Sequence, residues 1–245
     1  MAASEKKAKA KAKAKAKPST DDPRLEPIHA WFAQRNWTPL PFQQETWSAY
    51  LAGRNGLIQV PTGSGKTFAA VMGPIARMLA EEQPLKGIRL LYITPLRALS
   101  RDLSLAIREP IEAMGWPIRV GIRNGDSSSS ERTKQLKAPP QILVTTPESL
   151  ALLLSNAKAE ELFGQLETVI LDEWHELMGS KRGSQTELCL SWLRQLRPQL
   201  QTWAISATIG NLEQAARHAL GTASEPQLIV GAPARSTEIQ SILPE

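Results

Sequence analysis

Seven short apolar runs, separated by segments with helical periodicity, constrain the fold of this chain more than any other feature of its sequence. The runs span residues 56–60, 88–93, 118–122, 141–145, 168–172, 201–205 and 227–230. After the first run, Phe68, Val71, Met72, Ile75 and Leu79 recur at the spacing of one helix face. The alternation predicts a three-layer α/β fold, in which a parallel sheet carries helices on both faces. Because ligands bind such sheets beyond the carboxyl ends of the strands, we expect the functional residues at that edge.

A glycine-rich loop follows the first run and consists of Pro61, Thr62, Gly63, Ser64, Gly65, Lys66 and Thr67. Glycines let backbone N–H groups approach phosphate oxygens, and a helix that begins at about Lys66 adds partial positive charge. In such a loop Lys66 reaches the outer phosphates and the Thr67 hydroxyl ligates Mg²⁺. The usual pattern has Gly or Ala five residues before Gly65, where this chain has Val60. The backbone of residues 61–65 can still form the cradle, so the loop predicts a nucleotide site.

Two adjacent carboxylates, Asp172 and Glu173, stand at the end of the fifth apolar run. A carboxylate at the tip of a buried strand can hold a metal through water, and the next one can orient and deprotonate an attacking water. The alternative is a solvated acidic turn, which is less favoured because Asp172 follows an apolar strand on the same expected sheet edge. His175 lies three residues further on, but the chain has three histidines, none of them clustered, so a metal-ligating role is not expected.

Positive charge is concentrated at the N-terminus of the chain. Residues 1–17 contain seven lysines and one glutamate, so this segment accounts for more than the whole formal net charge of +5. We expect residues 1–21 to form a disordered Lys/Ala-rich tail that serves either solubility or sequence-independent attachment to phosphate backbones. The remaining chain is not basic, so any affinity for nucleic acid must come from a few placed groups and helix N-termini.

The cysteine and hydropathy patterns indicate the compartment. Cys189 is the single cysteine and lies on an apolar helical stripe with Trp192, Leu193 and Leu196, which predicts a buried thiol in a reducing compartment. No apolar run approaches the roughly 18 residues of a membrane span, and the N-terminus lacks the hydrophobic segment of a signal peptide. We therefore expect a cytoplasmic protein.

Six motifs, taken in order and spacing, resemble the first motor domain of superfamily-two DExH helicases. They are Gln43, 61–67, 94–99, 146–149, 172–175 and 206–208. More narrowly, residues 123–126, Trp174 and residues 206–211 are similar to the large helicase-related (Lhr-type) family, including its bacterial branch associated with a DNA ligase. The resemblance covers roughly residues 31–231. It implies a RecA-like ATPase domain over residues 22–231, with ATP and Mg²⁺ as cofactors, and ATP-dependent helicase activity.

The resemblance implies a role for each residue of the nucleotide site. Gln43 would read the adenine edge, for which its donor and acceptor are suited, and Trp37 is the nearest candidate for the displaced aromatic residue of that segment. Lys66 would bind phosphate, Asp172 would hold Mg²⁺ together with Thr67, and Glu173 would activate water.

For nucleic acid, the resemblance implies that Thr94, Arg97 and Thr146 grip the phosphodiester backbone of a single strand. Arg123 and Asp126 would line the same track, with a type I turn at residues 124–125 as the alternative. Three further residues would relay the nucleotide state to this track: His175, Ser206 and Thr208. Single-stranded DNA is the favoured partner, RNA is possible, and a link to DNA repair proteins that accompany the ligase rests on the resemblance alone.

Helicases of this class close a second motor domain over ATP, and its arginine fingers accelerate related phosphoryl transfers by about 10³ to 10⁵. We expect residues 232–245 to begin the linker to such a domain, and the 245-residue chain alone to hydrolyse ATP weakly. An alternative is a non-catalytic module that binds ATP and nucleic acid and recruits partners. A kinase with a phosphate loop would leave residues 146–149 and 206–208 unexplained.

Overall fold

The computed structural model describes residues 22–207, 210–221 and 225–231 of the chain. Three sequence predictions fall outside these residues: the Lys/Ala tail at 1–21, the coupling residue Thr208, and the expected linker at 232–245.

Seven strands occur in the described residues, one at each apolar run, and β3 and β6 extend one residue beyond their runs. They are β1 (Gly56–Gln59), β2 (Leu90–Ile93), β3 (Val120–Arg123), β4 (Ile142–Thr145), β5 (Thr168–Leu171), β6 (Gln201–Ser206) and β7 (Gln227–Val230). The helices are α1 (Glu26–Gln34), α2 (Pro41–Leu51), α3 (Lys66–Leu79), α4 (Arg97–Ala113), α5 (Ser129–Lys137), α6 (Pro147–Leu154), α7 (Ala159–Phe163), α8 (Trp174–Leu177), α9 (Lys181–Leu196) and α10 (Leu212–Leu220). A 3₁₀ turn, Pro23–Leu25, precedes α1.

The strands form one sheet in the order β3-β4-β2-β5-β6-β1-β7, and every neighbouring pair is parallel. Strands β2, β4, β5 and β6 are buried along their whole length, as expected for parallel strands covered by helices on both faces. Successive residues alternate between two cores, so that Leu57 packs on one face and Ile58 on the other. The predicted three-layer α/β fold is therefore confirmed.

Each face of the sheet has its own helices. One core contains buried residues of α1 to α4, including the fully buried Trp31 and Trp47. The other contains residues of α6 to α10, where the buried Trp174 donates its indole N–H to the Ala215 carbonyl oxygen at 3.0 Å. Cys189 of α9 is buried in this second core, as predicted, and burial raises the pKa of its thiol.

The sheet order divides the carboxyl edge into two halves. Strands β5, β6 and β1 are neighbours and precede the carboxylates, Ser206 and the phosphate loop. Strands β3, β4 and β2 are neighbours on the other side and lead to the residues predicted to contact nucleic acid. None of the helices in the described part of the chain has the length and hydropathy of a membrane span.

Candidate nucleotide site and nucleic-acid track

The phosphate loop begins where β1 ends and runs directly into α3 at Lys66. Gly63 and Gly65 have φ angles of 79° and 84°, a left-handed conformation that glycine adopts without strain. Ser64 closes the loop, since its backbone N–H and its hydroxyl both donate to the Pro61 carbonyl oxygen, at 3.4 Å and 2.6 Å. Among the described residues no side chain caps the first turn of α3, so its backbone N–H groups can bind phosphate oxygens.

One cation and two carboxylates meet beside this loop. The Lys66 ammonium forms an ion pair with the Glu173 carboxylate and lies 3.9 Å from Asp172 Oδ1. All three side chains are largely buried, with exposed fractions of 8% to 14%. Glu173 has a φ angle of 44°, an unusual left-handed value for a residue with a side chain, and this backbone turn directs its carboxylate toward Lys66.

Asp172 occupies the tip of β5, where its carboxylate accepts a hydrogen bond from the Glu173 backbone N–H at 3.1 Å. Burial raises the pKa of Asp172 to about 6, although the charge of Lys66 opposes this shift. Carboxylate and hydroxyl oxygens are the ligands that Mg²⁺ takes, and a buried carboxylate with a raised pKa lacks compensating positive charge. The residues present therefore fit a magnesium ion held by Asp172 and by Thr67, the second residue of α3.

Tyr92 is a residue of this site that the sequence analysis missed. Its side chain is fully buried, and its hydroxyl makes no hydrogen bond of normal geometry with any described residue. Burial raises its pKa well above the usual value, and the negative charges of Asp172 and Glu173 add to the shift. The only signal in the sequence was a hydroxyl inside an otherwise aliphatic run, two residues before Thr94.

His175 and Ser206 connect the carboxylates to the neighbouring strand. His175 Nδ1 lies 3.0 Å from the Ser206 hydroxyl and 3.6 Å from Glu173 Oε2. Ser206 is fully buried at the end of β6, and its carbonyl oxygen accepts a hydrogen bond from the Val60 N–H at 3.2 Å, next to the phosphate loop. The structure thus brings together two of the three predicted coupling residues, and the third, Thr208, lies outside the described residues.

Gln43 contacts the phosphate loop from α2. Its Oε1 accepts from the Leu40 backbone N–H at 2.8 Å, and its Nε2 donates to the Gly65 carbonyl oxygen at 3.1 Å. A glutamine amide has two lone pairs and two N–H groups, so one acceptor and one donor position stay unused, although Gln43 is only 3% exposed in this structure. Trp37 is 46% exposed and packs edge-on against Trp31.

The two threonines predicted to grip phosphate are buried. Thr94 is 0% exposed and its hydroxyl is without a hydrogen-bond partner among the described residues. Thr146 is 1% exposed, and its hydroxyl caps α6 by accepting from the Ser149 backbone N–H at 3.4 Å. Neither hydroxyl reaches the surface in this structure, and direct contact of these hydroxyls with a nucleic-acid strand stays a prediction. The first turn of α6 offers few free donors as well, because Pro147 has no N–H and Thr146 accepts that of Ser149.

The arginines of the track are better placed. Arg97 begins α4, is 60% exposed, and lies 3.7 Å from Asp126. Arg123 is less accessible, and its guanidinium donates to the Arg132 carbonyl oxygen at 3.2 Å. A turn is present one residue beyond the one considered as the alternative: the Ser127 N–H donates to the Asn124 carbonyl oxygen at 3.3 Å, and Asn124 Oδ1 accepts from the Asp126 N–H at 3.0 Å. Arg132, which the sequence did not single out, supports this turn by donating to the Asn124 carbonyl oxygen at 3.3 Å.

Comparison with known sequences places these motifs in context. The sequence pattern of the DEAD/DEAH box helicases matches residues 40–215. The chain is 39% identical over 219 residues to a protein of Mycolicibacterium smegmatis named Lhr helicase/probable uracil glycosylase, covering 84% of this chain and 14% of that protein. It is 38% identical over 209 residues to ATP-dependent helicase Lhr-Core protein 2 of Thermococcus barophilus, covering 80% of this chain and 24% of that protein. The chain thus spans a quarter or less of either relative.

Solved structures give the same result. The Mycobacterium smegmatis helicase Lhr, bound to single-stranded DNA and AMP-PNP, superposes with a TM-score of 0.77 at 35% identity, covering 87% of this chain and 29% of that one. The DUF1998 helicase MrfA bound to DNA superposes with a TM-score of 0.73 at 27% identity, covering 87% of this chain and 30% of that one. The resemblance to Lhr-type helicases is confirmed, whereas the ligase-associated branch stays a prediction.

Proposed function

Because the chain belongs to the DEAD/DEAH box helicase family, we propose that residues 22–231 form an ATP-binding motor domain that couples ATP hydrolysis to movement along a single nucleic-acid strand. The observation that carries the proposal is the meeting of Lys66, Asp172 and Glu173 beside a glycine loop that opens a helix. These groups supply a cation for phosphate, a metal-binding carboxylate and a base, which are the parts that hydrolysis of a phosphoanhydride needs.

The ion pair between Lys66 and Glu173 suggests how nucleotide binding prepares the site. Phosphates that enter the loop compete with Glu173 for the Lys66 ammonium. Once Lys66 turns to phosphate, the Glu173 carboxylate is free to accept a proton from a water molecule. Mg²⁺, when bound by Asp172 and Thr67, neutralises charge that develops on the phosphate oxygens. Gln43 holds the Gly65 carbonyl oxygen and offers its remaining positions to the base.

A single strand would bind along the other half of the sheet edge. The exposed Arg97 is the group that supports this proposal, since charged side chains bind phosphates without reading bases. The two structural neighbours are bound to DNA, one of them to single-stranded DNA, which favours DNA over RNA here.

Other features of the whole protein are proposals that the relatives suggest. The two relatives compared above are several times longer than this chain, so translocation and unwinding are proposed for this domain joined to a second motor domain. A cytoplasmic location, a role in DNA repair and an association with ligase-linked repair proteins rest on the family resemblance.

Substitution of Lys66 tests the nucleotide site. Lys66→Ala is expected to weaken binding of Mg-ATP at least tenfold, because a hydrogen bond to a charged group contributes about 1.5–3 kcal/mol. Isothermal titration calorimetry on the full chain measures the affinity. Lys86→Ala is the matched control, because Lys86 is exposed and lies four residues before β2, at the opposite edge of the sheet. Equal affinity in wild type and Lys66→Ala would remove the phosphate-loop assignment.

A further inference from the structure

One arginine, Arg182, joins three elements that the motifs leave separate. Its Nε donates to Glu148 Oε1 at 2.5 Å and its Nη2 donates to Glu148 Oε2 at 3.3 Å. The same Nη2 donates to the Pro95 carbonyl oxygen at 2.8 Å. Glu148 lies in the first turn of α6, Pro95 lies between β2 and α4, and Arg182 lies in the first turn of α9. One guanidinium therefore connects both loops of the proposed strand track to a helix that follows the carboxylates.

The backbone under Arg182 is held tightly. Ser180 caps α9 by accepting from the Gly183 N–H at 3.1 Å. A Cβ added to Gly183 would lie 2.0 Å from the Leu177 carbonyl oxygen, so only glycine permits this approach of α9 to α8. Helix α8 begins at Trp174, directly after Glu173. Arg182 thus extends from a packed unit that starts at the nucleotide site and ends at the strand track.

The contact between Arg182 and Glu148 also compensates a negative charge at the start of α6. Burial raises the pKa of Glu148, but hydrogen bonds from Arg182, from its own backbone N–H and from Thr146, together with the charge of Arg182, outweigh it. The net pKa therefore lies below the usual value, and the pair is ionised at neutral pH. Without Arg182, an uncompensated carboxylate would stand at the start of α6, on the half of the sheet edge where a nucleic-acid strand is proposed to bind. The side chains of Arg182 and Glu148 are 40% and 46% exposed, and ion pairs this exposed add little to stability. Stability alone therefore does not explain the arrangement.

We propose that Arg182 is a positioning residue that holds the loops of Pro95 and Glu148 at a fixed separation for binding of a single strand, and that links this separation to the nucleotide site through α8 and α9. This inference rests on the function proposed above and deepens it. Removal of Arg182 should weaken strand binding and reduce the effect of the strand on nucleotide affinity, because the two binding events share one coupling free energy. Nucleotide affinity without a strand should not change.

The test measures binding of a fluorescent oligothymidylate to the full chain by anisotropy, and of Mg-ATP by calorimetry with and without that oligonucleotide. Arg182→Ala is expected to weaken oligonucleotide binding about tenfold, the effect of losing one charge-assisted contact, and to bring the two Mg-ATP affinities together. Lys181→Ala is the matched control, because it removes the same charge from the adjacent, exposed position of α9. Glu148→Gln combined with Arg182→Ala should show a non-additive loss, as residues in direct contact do.

Each outcome decides the inference. Equal weakening by Lys181→Ala and Arg182→Ala would show that only charge matters and would overturn it, as would unchanged binding in Arg182→Ala. If Arg182→Ala lowered the melting temperature, Arg182→Lys would decide, since lysine keeps the charge but cannot serve both partners with one planar group; wild-type binding in Arg182→Lys would overturn the inference. If the wild-type chain bound no oligonucleotide, the proposed function would be overturned as well. If wild type and Arg182→Ala bound it equally, only the inference about Arg182 would be overturned.

Discussion

The chemistry of the nucleotide site depends on an imbalance of charge among three residues. Lys66 is paired with Glu173, and Asp172 lies 3.9 Å from the ammonium and accepts a hydrogen bond from the Glu173 backbone N–H. The raised pKa of Asp172 follows from this position, because burial penalises the charged carboxylate more than Lys66 compensates it. A divalent cation bound here would stabilise the folded protein, and without it the buried carboxylate lowers the free energy of unfolding.

Asp172 should therefore make the free protein less stable at neutral pH. Its pKa rises from 3.8 to about 6 on folding, so the folded chain binds more protons than the unfolded chain between these values. Stability then falls as the pH rises from about 4 to about 6 and levels off above that range. In Mg²⁺-free buffer at pH 7, Asp172→Asn is expected to raise the free energy of unfolding by up to about 3 kcal/mol. Denaturant titration at several pH values measures the gain.

The gain should shrink toward pH 4, where the wild-type carboxyl becomes neutral as well. Asp102→Asn provides a matched control, because Asp102 is exposed on α4 and its substitution should leave the pH profile unchanged. A gain that was constant from pH 4 to pH 8, or absent at pH 7, would contradict the burial argument.

Among the elements, the strands could be predicted from the sequence and one helix could not. The ends of each strand lie within two residues of the ends of its apolar run. The agreement arises because parallel strands buried on both faces are continuous in apolar residues. Helix α5 has no buried residue, so hydrophobic periodicity carries no signal for it. Its start is fixed by a capping box, in which Ser128 and Glu131 exchange side-chain and backbone hydrogen bonds.

The same limit explains why the sequence did not reveal the burial of Thr94 and Thr146. A Thr just before a helix gives the same sequence pattern whether its hydroxyl binds a ligand or caps the helix. In this structure the Thr146 hydroxyl caps α6. The direction of the Thr94 side chain, just past the end of β2, depends on tertiary packing. Motif spacing predicted that Lys66, Asp172, Glu173 and Ser206 share one edge, but long-range contacts such as that of Arg182 with Pro95 leave no local pattern.

Substitutions at these two positions separate capping from ligand binding. Thr146→Val is expected to lower the free energy of unfolding by about 1 kcal/mol, because it removes the cap of α6. Thr94→Val should be neutral or slightly stabilising, since the hydroxyl it removes is buried and makes no hydrogen bond with the described residues. Thermal unfolding measures both effects, and oligonucleotide anisotropy should show wild-type affinity for Thr94→Val. Loss of strand binding in a stable Thr94→Val variant would restore the role that the sequence suggested.

At the scale of the whole molecule, the sheet order separates two tasks along one edge. The residues predicted to bind nucleotide lie at the ends of β1, β6 and β5. Those predicted to contact nucleic acid lie at the ends of β2, β4 and β3. Strands β5 and β2 are neighbours where the two halves meet. Coupling between nucleotide binding and nucleic-acid binding has to cross this boundary, where α8, α9 and Arg182 connect the two halves of the edge.

ATP hydrolysis should need a positive group in addition to the residues described here. The far side of the γ-phosphate needs a positive group, and we expect a second motor domain, fused or in trans, to raise kcat by about 10³ or more. The 245-residue chain alone should hydrolyse ATP slowly, as a phosphate-release assay with and without oligothymidylate would show. In the joined enzyme Glu173→Gln should keep ATP binding and lose turnover, because an amide cannot accept the proton.

Glu176→Gln is the matched control for this experiment, because Glu176 lies on the same short helix with a carboxylate that is 60% exposed. Rapid strand-stimulated hydrolysis by the chain alone would contradict the need for a second domain. A joined enzyme that bound ATP and strand without any turnover would instead favour the recruitment module.

The burial of Cys189 makes this protein convenient for dye labelling. It is the single cysteine of the 245 residues, it lies inside the second core, and its thiol is kept protonated by burial. Maleimide dyes attack thiolates, so the native residue should stay unmodified in the folded protein. A cysteine introduced at the exposed Ser130 of α5 would then be the only reactive thiol. A dye there could report energy transfer to a labelled oligonucleotide in an otherwise native chain.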